Sequence, residues 1–240
     1  MIKGIIFDLN GTLIDISTDE WSDEVYRTTA HFLGYSGVLI SPEELRENYF
    51  ALNKEQRRRS PEAFPEFDAV KIFHDIIMKK VPMTENNAGK IAVSTAQVYR
   101  AAALKKLQLY PGVKEVLTDL KSRFKLAAVS DGQSAWALPE LYMAGLNEFF
   151  SGATVSGDFG FRKPDKRMFE LSLEELGLLP EETVLVGNDL FRDIYGGNEM
   201  GMKTVFFRSN QGDWESKQGK PDYIIYDFYE LPAAINFLAG

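Results

Sequence analysis

The chain of 240 residues is 45% hydrophobic, carries a formal net charge of -8 and contains no cysteine. This length and apolar content predict one or two folded domains with a substantial core. The negative charge argues against non-specific binding to nucleic acid or anionic membranes, and the lack of cysteine excludes disulfides, thiolate catalysis and cysteine metal sites. No run approaches the roughly 20 apolar residues of a membrane span, and the N-terminus lacks a signal-peptide pattern, so we expect a cytoplasmic protein.

A short apolar run near the N-terminus ends abruptly in a carboxylate. Residues 5–13 have the sequence IIFDLNGTL. The pattern predicts a buried parallel strand that delivers Asp8 to its carboxyl end, followed by a sharp turn at Gly11 and Thr12. Open α/β sheets bind their ligands at this edge. Asp8 could bind a metal, attack an electrophile or cap a following helix, and this segment alone leaves the three roles open.

Residues 15–107 have mainly helical patterns and are predicted to form a helical insertion. The apolar spacing predicts helices over residues 19–33, after Ser41, between Pro65 and Pro82, and over residues 85–104. Ser41 provides an N-cap, with proline at the first helical position and glutamate three residues after the cap. Trp21 and Tyr26 lie on the first of these helices, and we expect both side chains in the core.

After residue 110, strands alternate with helices. Strands are predicted over residues 125–129, 183–186, 204–207 and 223–226, and helices over residues 113–122, 165–176, 193–200 and 231–238. This alternation predicts a doubly wound parallel sheet, an α/β fold built from residues 1–14 and 108–240.

Three of the predicted strands end in polar residues. These residues are Asp8, Ser130, and Asn188 with Asp189, and Lys163 could add a fixed cation. Oxygen ligands of this kind suit Mg²⁺, which takes one or two carboxylates together with phosphate oxygens. The suggested chemistry is phosphoryl transfer, in which Asp8 attacks phosphorus while the cation and hydroxyl hold the phosphoryl oxygens.

Along the chain these residues form four motifs: first the run that ends at Asp8, second Ser130, third Lys163, and fourth Asn188 with Asp189. The four motifs resemble those of the haloacid dehalogenase superfamily of hydrolases, in the phosphoglycolate-phosphatase-like subfamily with a helical cap after the first motif. The resemblance covers nearly the whole chain and implies Mg²⁺ as cofactor, a small phosphorylated metabolite as substrate, and a monomer or homodimer. It implies that Asp8 is the nucleophile, Ser130 a phosphate ligand and Lys163 the cation. By the same resemblance, the metal ligands are Asp8, the Asn10 carbonyl, Asn188, Asp189 and Asp193, and the substrate phosphate lies against Gly11, Thr12, Ser130, Asp131, Gly132 and Lys163.

Two positions depart from the family pattern. Family phosphatases carry an aspartate two residues after the nucleophile as general acid and base, whereas this chain has Asn10. An amide cannot transfer a proton, and such catalysis is worth about 10² to 10⁴-fold, so we expect either a slowed enzyme or one that stalls as the aspartyl enzyme. Asp15 or Asp131 could substitute for the missing acid. The second departure is Asn188 in place of a metal-binding aspartate, which removes a charge from the metal site.

Two other functions remain open. A 2-haloacid dehalogenase needs no leaving-group acid, which Asn10 would permit. Relatives of that type, however, usually carry an asparagine where this chain has Asp131, and the carboxylates of Asp189 and Asp193 favour metal and phosphate chemistry. A catalytically silent phospholigand-binding protein would bind its ligand without turnover, even after Asn10→Asp.

Overall fold

The computed structural model describes residues 1–240 as eight strands and nine α-helices. The strands are β1 (Gly4–Asp8), β2 (Ile14–Thr18), β3 (Leu104–Leu109), β4 (Lys125–Ser130), β5 (Ala153–Val155), β6 (Thr183–Gly187), β7 (Lys203–Phe207) and β8 (Tyr223–Ile225). The helices are α1 (Asp23–Tyr35), α2 (Pro42–Arg59), α3 (Ala69–Lys80), α4 (Glu85–Ala103), α5 (Val113–Lys121), α6 (Ser134–Ala144), α7 (Lys166–Leu176), α8 (Gly196–Met200) and α9 (Leu231–Ala239). None of the helices combines the length and apolar character needed to cross a bilayer.

Six strands form one parallel sheet in the order β5-β4-β1-β6-β7-β8, which confirms the predicted α/β class. β1 lies at the centre, and its alternate side chains enter two different cores. Ile5 and Phe7 belong to a cluster of 25 buried residues with α5 and α9, whereas Ile6 belongs to a cluster of 10 with α7. Packing on both faces fixes the position of the strand end that carries Asp8.

Helices α1 to α4 pack around a third cluster of 18 buried residues. The predicted start of α2 is confirmed, because the Ser41 side chain accepts a hydrogen bond from the Glu44 N–H at 3.2 Å. The first helix begins at Asp23 rather than at residue 19. The Trp21 N–H donates to the Asp19 carboxylate at 3.1 Å, a local turn that competes with helix. Trp21 is 67% exposed, so its expected place in the core was wrong, whereas Tyr26 is buried as expected.

A two-stranded antiparallel ribbon of β2 and β3 connects this helical layer to the main sheet. The helical interpretation of residues 15–107 missed both strands, and α4 ends one residue before the predicted position. β3 has the sequence LKKLQL, whose three leucines are only partly buried and show no clear period of two. Pairing with the chain segment after β1 therefore determines this strand. α6 and the three-residue β5 were also not predicted.

Candidate active site

The polar ends of three neighbouring strands meet at one edge of the sheet. β1 pairs with β4 on one side and with β6 on the other. Asp8 ends β1, Ser130 ends β4, and Asn188 directly follows β6. All three side chains are buried. The structure thus brings together the three strand ends that the sequence pattern singled out.

A buried lysine joins two carboxylates at this edge. The Lys163 ammonium donates to Asp8 Oδ1 at 2.7 Å and to Asp193 Oδ1 at 2.6 Å, and Lys163 is only 2% exposed. Burial by itself disfavours the charged amine, but the negative charges of Asp193 and Asp8 raise the pKa of Lys163 above its ordinary value. The ammonium is therefore a fixed positive charge against the end of β1.

The turn after β1 brings a hydroxyl and a side-chain amide to the same place. The Thr12 hydroxyl donates to Asp8 Oδ2 at 2.8 Å and lies 3.2 Å from Asn188 Oδ1. Gly11 has a φ of +88°, and a Cβ there would lie 2.1 Å from Asn188 Nδ2. Only glycine fits this conformation beside the amide without strain. The glycine of the motif thus permits the close approach of the first and fourth motifs.

The two aspartates after Asn188 act locally on the backbone. Asp189 Oδ1 accepts hydrogen bonds from the N–H groups of Phe191 and Arg192, which caps a π-helix (Leu190–Tyr195), and its Oδ2 accepts from the Arg192 guanidinium. Asp193 lies in this π-helix, not at the predicted helix start, and its Oδ2 accepts from the N–H groups of Asn188 and Asp189. The hydrogen bonds of Asp189 thus direct its carboxylate to the helix and to Arg192, a partner that sequence reasoning missed.

The loop after β4 positions the lysine. Asp131 Oδ1 accepts from the Lys163 backbone N–H at 3.0 Å, and its Oδ2 is buried without a hydrogen-bond partner. The Gly132 N–H donates to the Ser156 hydroxyl at 2.9 Å. That bond occupies the N–H of Gly132, a residue expected to lie against the substrate phosphate, so Gly132 shapes the loop in this conformation. Ser156 was also missed, because a lone serine in a loop carries no distinguishing pattern.

Comparison with known proteins places this chain in a family. The sequence profile of the haloacid dehalogenase-like hydrolases matches residues 2–201. The chain belongs to this hydrolase family. Relatives include glyceraldehyde 3-phosphate phosphatases of two archaea: that of Methanocaldococcus jannaschii is 30% identical over 96% of both chains, and that of Methanopyrus kandleri is 28% identical over 95% of this chain and 92% of its own. A 2-haloacid dehalogenase from Pseudomonas syringae pv. Tomato superposes with a TM-score of 0.69, 21% identity and 99% coverage of both chains, a likeness of fold alone.

The donor set of this hydrolase contains few anionic groups that could hold a metal. No three His, Cys, Asp or Glu side chains lie together as a metal site. Two oxygens do converge, since Asp8 Oδ2 and Asn188 Oδ1 both lie within hydrogen-bond distance of the Thr12 hydroxyl. One carboxylate, neutral oxygens and a substrate phosphate are a combination that Mg²⁺ accepts, so the residues present fit this ion.

The two candidates for the missing acid have different surroundings. Asp15 forms an ion pair with Lys106 and accepts from the Gln211 amide at 3.0 Å. Burial raises the pKa of Asp15, but these partners outweigh that effect and hold it below its ordinary value. Asp131 Oδ1 accepts from the Lys163 backbone N–H, but its Oδ2 has no hydrogen-bond partner and burial raises its pKa above the ordinary value. Asp131 therefore stays a candidate acid, whereas Asp15 does not.

Proposed function

We propose that this hydrolase cleaves small phosphomonoesters with Mg²⁺ as cofactor, through a covalent aspartyl phosphate on Asp8. The arrangement of Asp8 carries the proposal: a buried carboxylate at the end of the central strand, held by an ammonium at 2.7 Å and a hydroxyl at 2.8 Å. A carboxylate positioned in this way is available as a nucleophile. The archaeal relatives, which are named as phosphatases of a small phosphorylated aldehyde, support the same substrate class.

The reaction has two steps. An Asp8 oxygen attacks phosphorus, the bond from phosphorus to the ester oxygen breaks, and the alkoxide takes a proton from solvent. Water then attacks phosphorus and loses a proton to solvent, the acyl phosphate bond breaks, and Asp8 returns to a carboxylate as inorganic phosphate leaves. Lys163 orients Asp8 and supplies positive charge, while the Ser130 hydroxyl donates to a phosphoryl oxygen. The backbone of the turn at Gly11 and Thr12 is proposed to border the phosphate.

Asp8, the Asn10 backbone carbonyl and Asn188 are the proposed metal-binding groups. When bound there, Mg²⁺ would neutralise charge on the phosphoryl group and favour approach of the carboxylate. Asp193 would contribute by holding Lys163 and the backbone of Asn188. We do not assign Asp189 to the metal, because its carboxylate bonds to the π-helix and to a guanidinium.

Residues 15–107 are proposed to form a cap over the strand ends. Its connections to the core would be the strands β2 and β3. Closure of such a cap would bring cap side chains against the alcohol and let them select it.

Asn10 sets a testable limit on the reaction. Because the alkoxide receives no proton from this side chain, the rate of the first step should depend steeply on how acidic the leaving alcohol is. Hydrolysis of aryl phosphates with acidic phenols should therefore be much faster than hydrolysis of alkyl phosphates. Asn10→Asp should raise the first-turnover release of alkyl alcohols by about 10² to 10⁴-fold and that of acidic phenols far less.

The test measures first-turnover release of the alcohol and steady-state release of phosphate from a graded series of aryl and alkyl phosphates with Mg²⁺. The proteins are the wild type, Asn10→Asp, and Asp8→Asn as a matched control, which should be inactive. The proposal is wrong if neither the wild type nor Asn10→Asp hydrolyses any ester. Halide release from a 2-haloacid would then indicate a dehalogenase, and phosphate binding without turnover in both forms would indicate a binding protein.

A further inference from the structure

The connector between α2 and α3, residues 60–68, lies against the segment that leads to Lys163. The Arg162 N–H donates to the Phe64 carbonyl at 3.0 Å, and the Glu66 N–H donates to the Gly160 carbonyl at 2.9 Å. These two bonds form a short antiparallel bridge between the helical layer and the core. The connector therefore contacts the core through contacts of its own, in addition to the β2 and β3 ribbon.

The connector also inserts a buried carboxylate into the core. Glu66 is 7% exposed, and its Oε1 accepts from the Phe67 N–H at 3.0 Å and from the Arg57 guanidinium at 3.2 Å. Its Oε2 accepts from the Ser156 hydroxyl at 2.9 Å. Burial raises the pKa of Glu66 above its ordinary value, so a carboxylate is a costly choice at this place. A side chain needed only to fill space would not require three donors.

Ser156 connects Glu66 to the loop after β4 by hydrogen bonds. Its hydroxyl donates to Glu66 and accepts from the Gly132 N–H at 2.9 Å, and Ser156 is fully buried. The next residue, Gly157, donates its N–H to the Gly132 carbonyl at 2.8 Å, and a Cβ there would lie 2.7 Å from that oxygen. The N–H and the carbonyl of Gly132, two residues after Ser130, are thus both hydrogen-bonded to the segment of Ser156 and Gly157.

We propose that Glu66 is a positioning residue that acts through Ser156 to hold the loop of Ser130 and Gly132 in its phosphate-binding shape. This inference rests on the proposed phosphatase function. Because Glu66 comes from the helical layer, the loop takes this shape only when the connector is docked. The phosphate site therefore has its binding shape only when residues 60–68 are docked on the core.

The test compares Glu66→Ala and Ser156→Ala with Glu62→Ala in the full chain. Glu62 lies in the same connector and forms an ion pair with Arg167 of α7. The other hydrogen-bond and ion-pair partner of Arg167 is Asp165, which is outside the loop after β4. Glu62→Ala thus removes a connector carboxylate whose part-exposed ion pair contributes only about 0–1 kcal/mol, and it leaves both the backbone bridge and the Ser156 contact in place. Ser156→Ala removes the contact itself but keeps the bonds of Glu66 to Arg57 and Phe67.

The first readout is competitive inhibition by inorganic phosphate during hydrolysis of an aryl phosphate. A hydrogen bond to a charged group is worth about a factor of ten or more in an equilibrium constant. Glu66→Ala and Ser156→Ala should each raise the inhibition constant about tenfold. The double variant should add little, because both changes break one chain of contacts. Glu62→Ala should leave the constant unchanged.

The second readout is amide hydrogen exchange of Gly132 and Gly157, which needs no activity. Exchange should be faster in Glu66→Ala and Ser156→Ala and unchanged in Glu62→Ala. Unchanged exchange would overturn the inference, as would faster exchange with unchanged phosphate inhibition or an equal effect of Glu62→Ala. If Glu66→Ala does not fold, Ser156→Ala carries the same two predictions. Absence of ester hydrolysis in both the wild type and Asn10→Asp would refute the proposed function, whereas the exchange result would still decide whether Glu66 holds the loop.

Discussion

Replacing Lys163 with methionine should strongly destabilise the fold. The change keeps much of the side-chain volume but removes the ammonium that lies 2.7 Å from Asp8 and 2.6 Å from Asp193, and both carboxylates are buried. Two negative charges would then face each other without a cation. Breaking a buried ion pair by removing one partner costs about 3–5 kcal/mol, and we expect a loss of free energy of unfolding in this range.

Lys203→Met is the matched control. Lys203 lies 2.8 Å from Asp222 in an ion pair of similar length, but its side chain is 51% exposed. Such pairs contribute about 0–1 kcal/mol, because water screens the charges. The assay is urea unfolding at neutral pH in EDTA, so that no divalent cation replaces the lost charge. Equal losses for the two variants, or a loss below about 1 kcal/mol for Lys163→Met, would refute the assignment of a buried ion triad.

Three further predictions concern stability. Gly11→Ala should lower the free energy of unfolding by more than about 2 kcal/mol, because φ is +88° and the new Cβ would clash with a buried amide. The control Gly37→Ala, with φ of +85° and open space around it, should lower it by only about 1 kcal/mol. Equal losses in thermal unfolding would contradict this. Tyr49→Phe should not lower the urea midpoint, because its buried hydroxyl has no partner, whereas Tyr26→Phe should lose about 1 kcal/mol with its 2.9 Å bond to a carbonyl. Burial raises the pKa of Asp222, but hydrogen bonds and a nearby lysine hold it below the ordinary 3.8. The contribution of Asp222 to the free energy of unfolding is therefore present above that pH and is lost as pH falls. The urea midpoints of the wild type and Asp222→Asn should converge on acidification, and a constant gap would contradict the shift.

The strand ends of the site could be predicted from the sequence for a simple physical reason. Buried parallel strands are continuous apolar runs, so the point where Asp8 or Asn188 interrupts a run marks the carboxyl end of a strand. Neighbouring parallel strands bring their ends to the same edge of the sheet, which requires no knowledge of side-chain contacts. Lys163 could be placed only by family resemblance, because a lysine before proline is typical of an exposed loop.

The rest depended on tertiary contacts that local patterns do not encode. Glu66 and Ser156 are 90 positions apart, and each is an ordinary polar residue in a loop. An aspartate after a strand can ligate a metal or cap a helix. Only the structure shows that the Asp189 carboxylate caps the N-terminus of the π-helix. Trp21 fitted a helical apolar face, but a local turn excludes it from the helix.

The central claim is that Asp8 itself becomes phosphorylated, and this can be measured directly. Wild-type protein is mixed with an aryl phosphate and Mg²⁺, quenched within the first turnover, reduced with borohydride, and the modified residue is mapped by peptide mass spectrometry. Because Asn10 cannot activate water, the aspartyl phosphate should accumulate, and reduction should convert Asp8 to homoserine in the wild type and in no peptide of Asp8→Asn. Release of phosphate in a burst with Asp8 unmodified, or modification at another residue, would contradict the account.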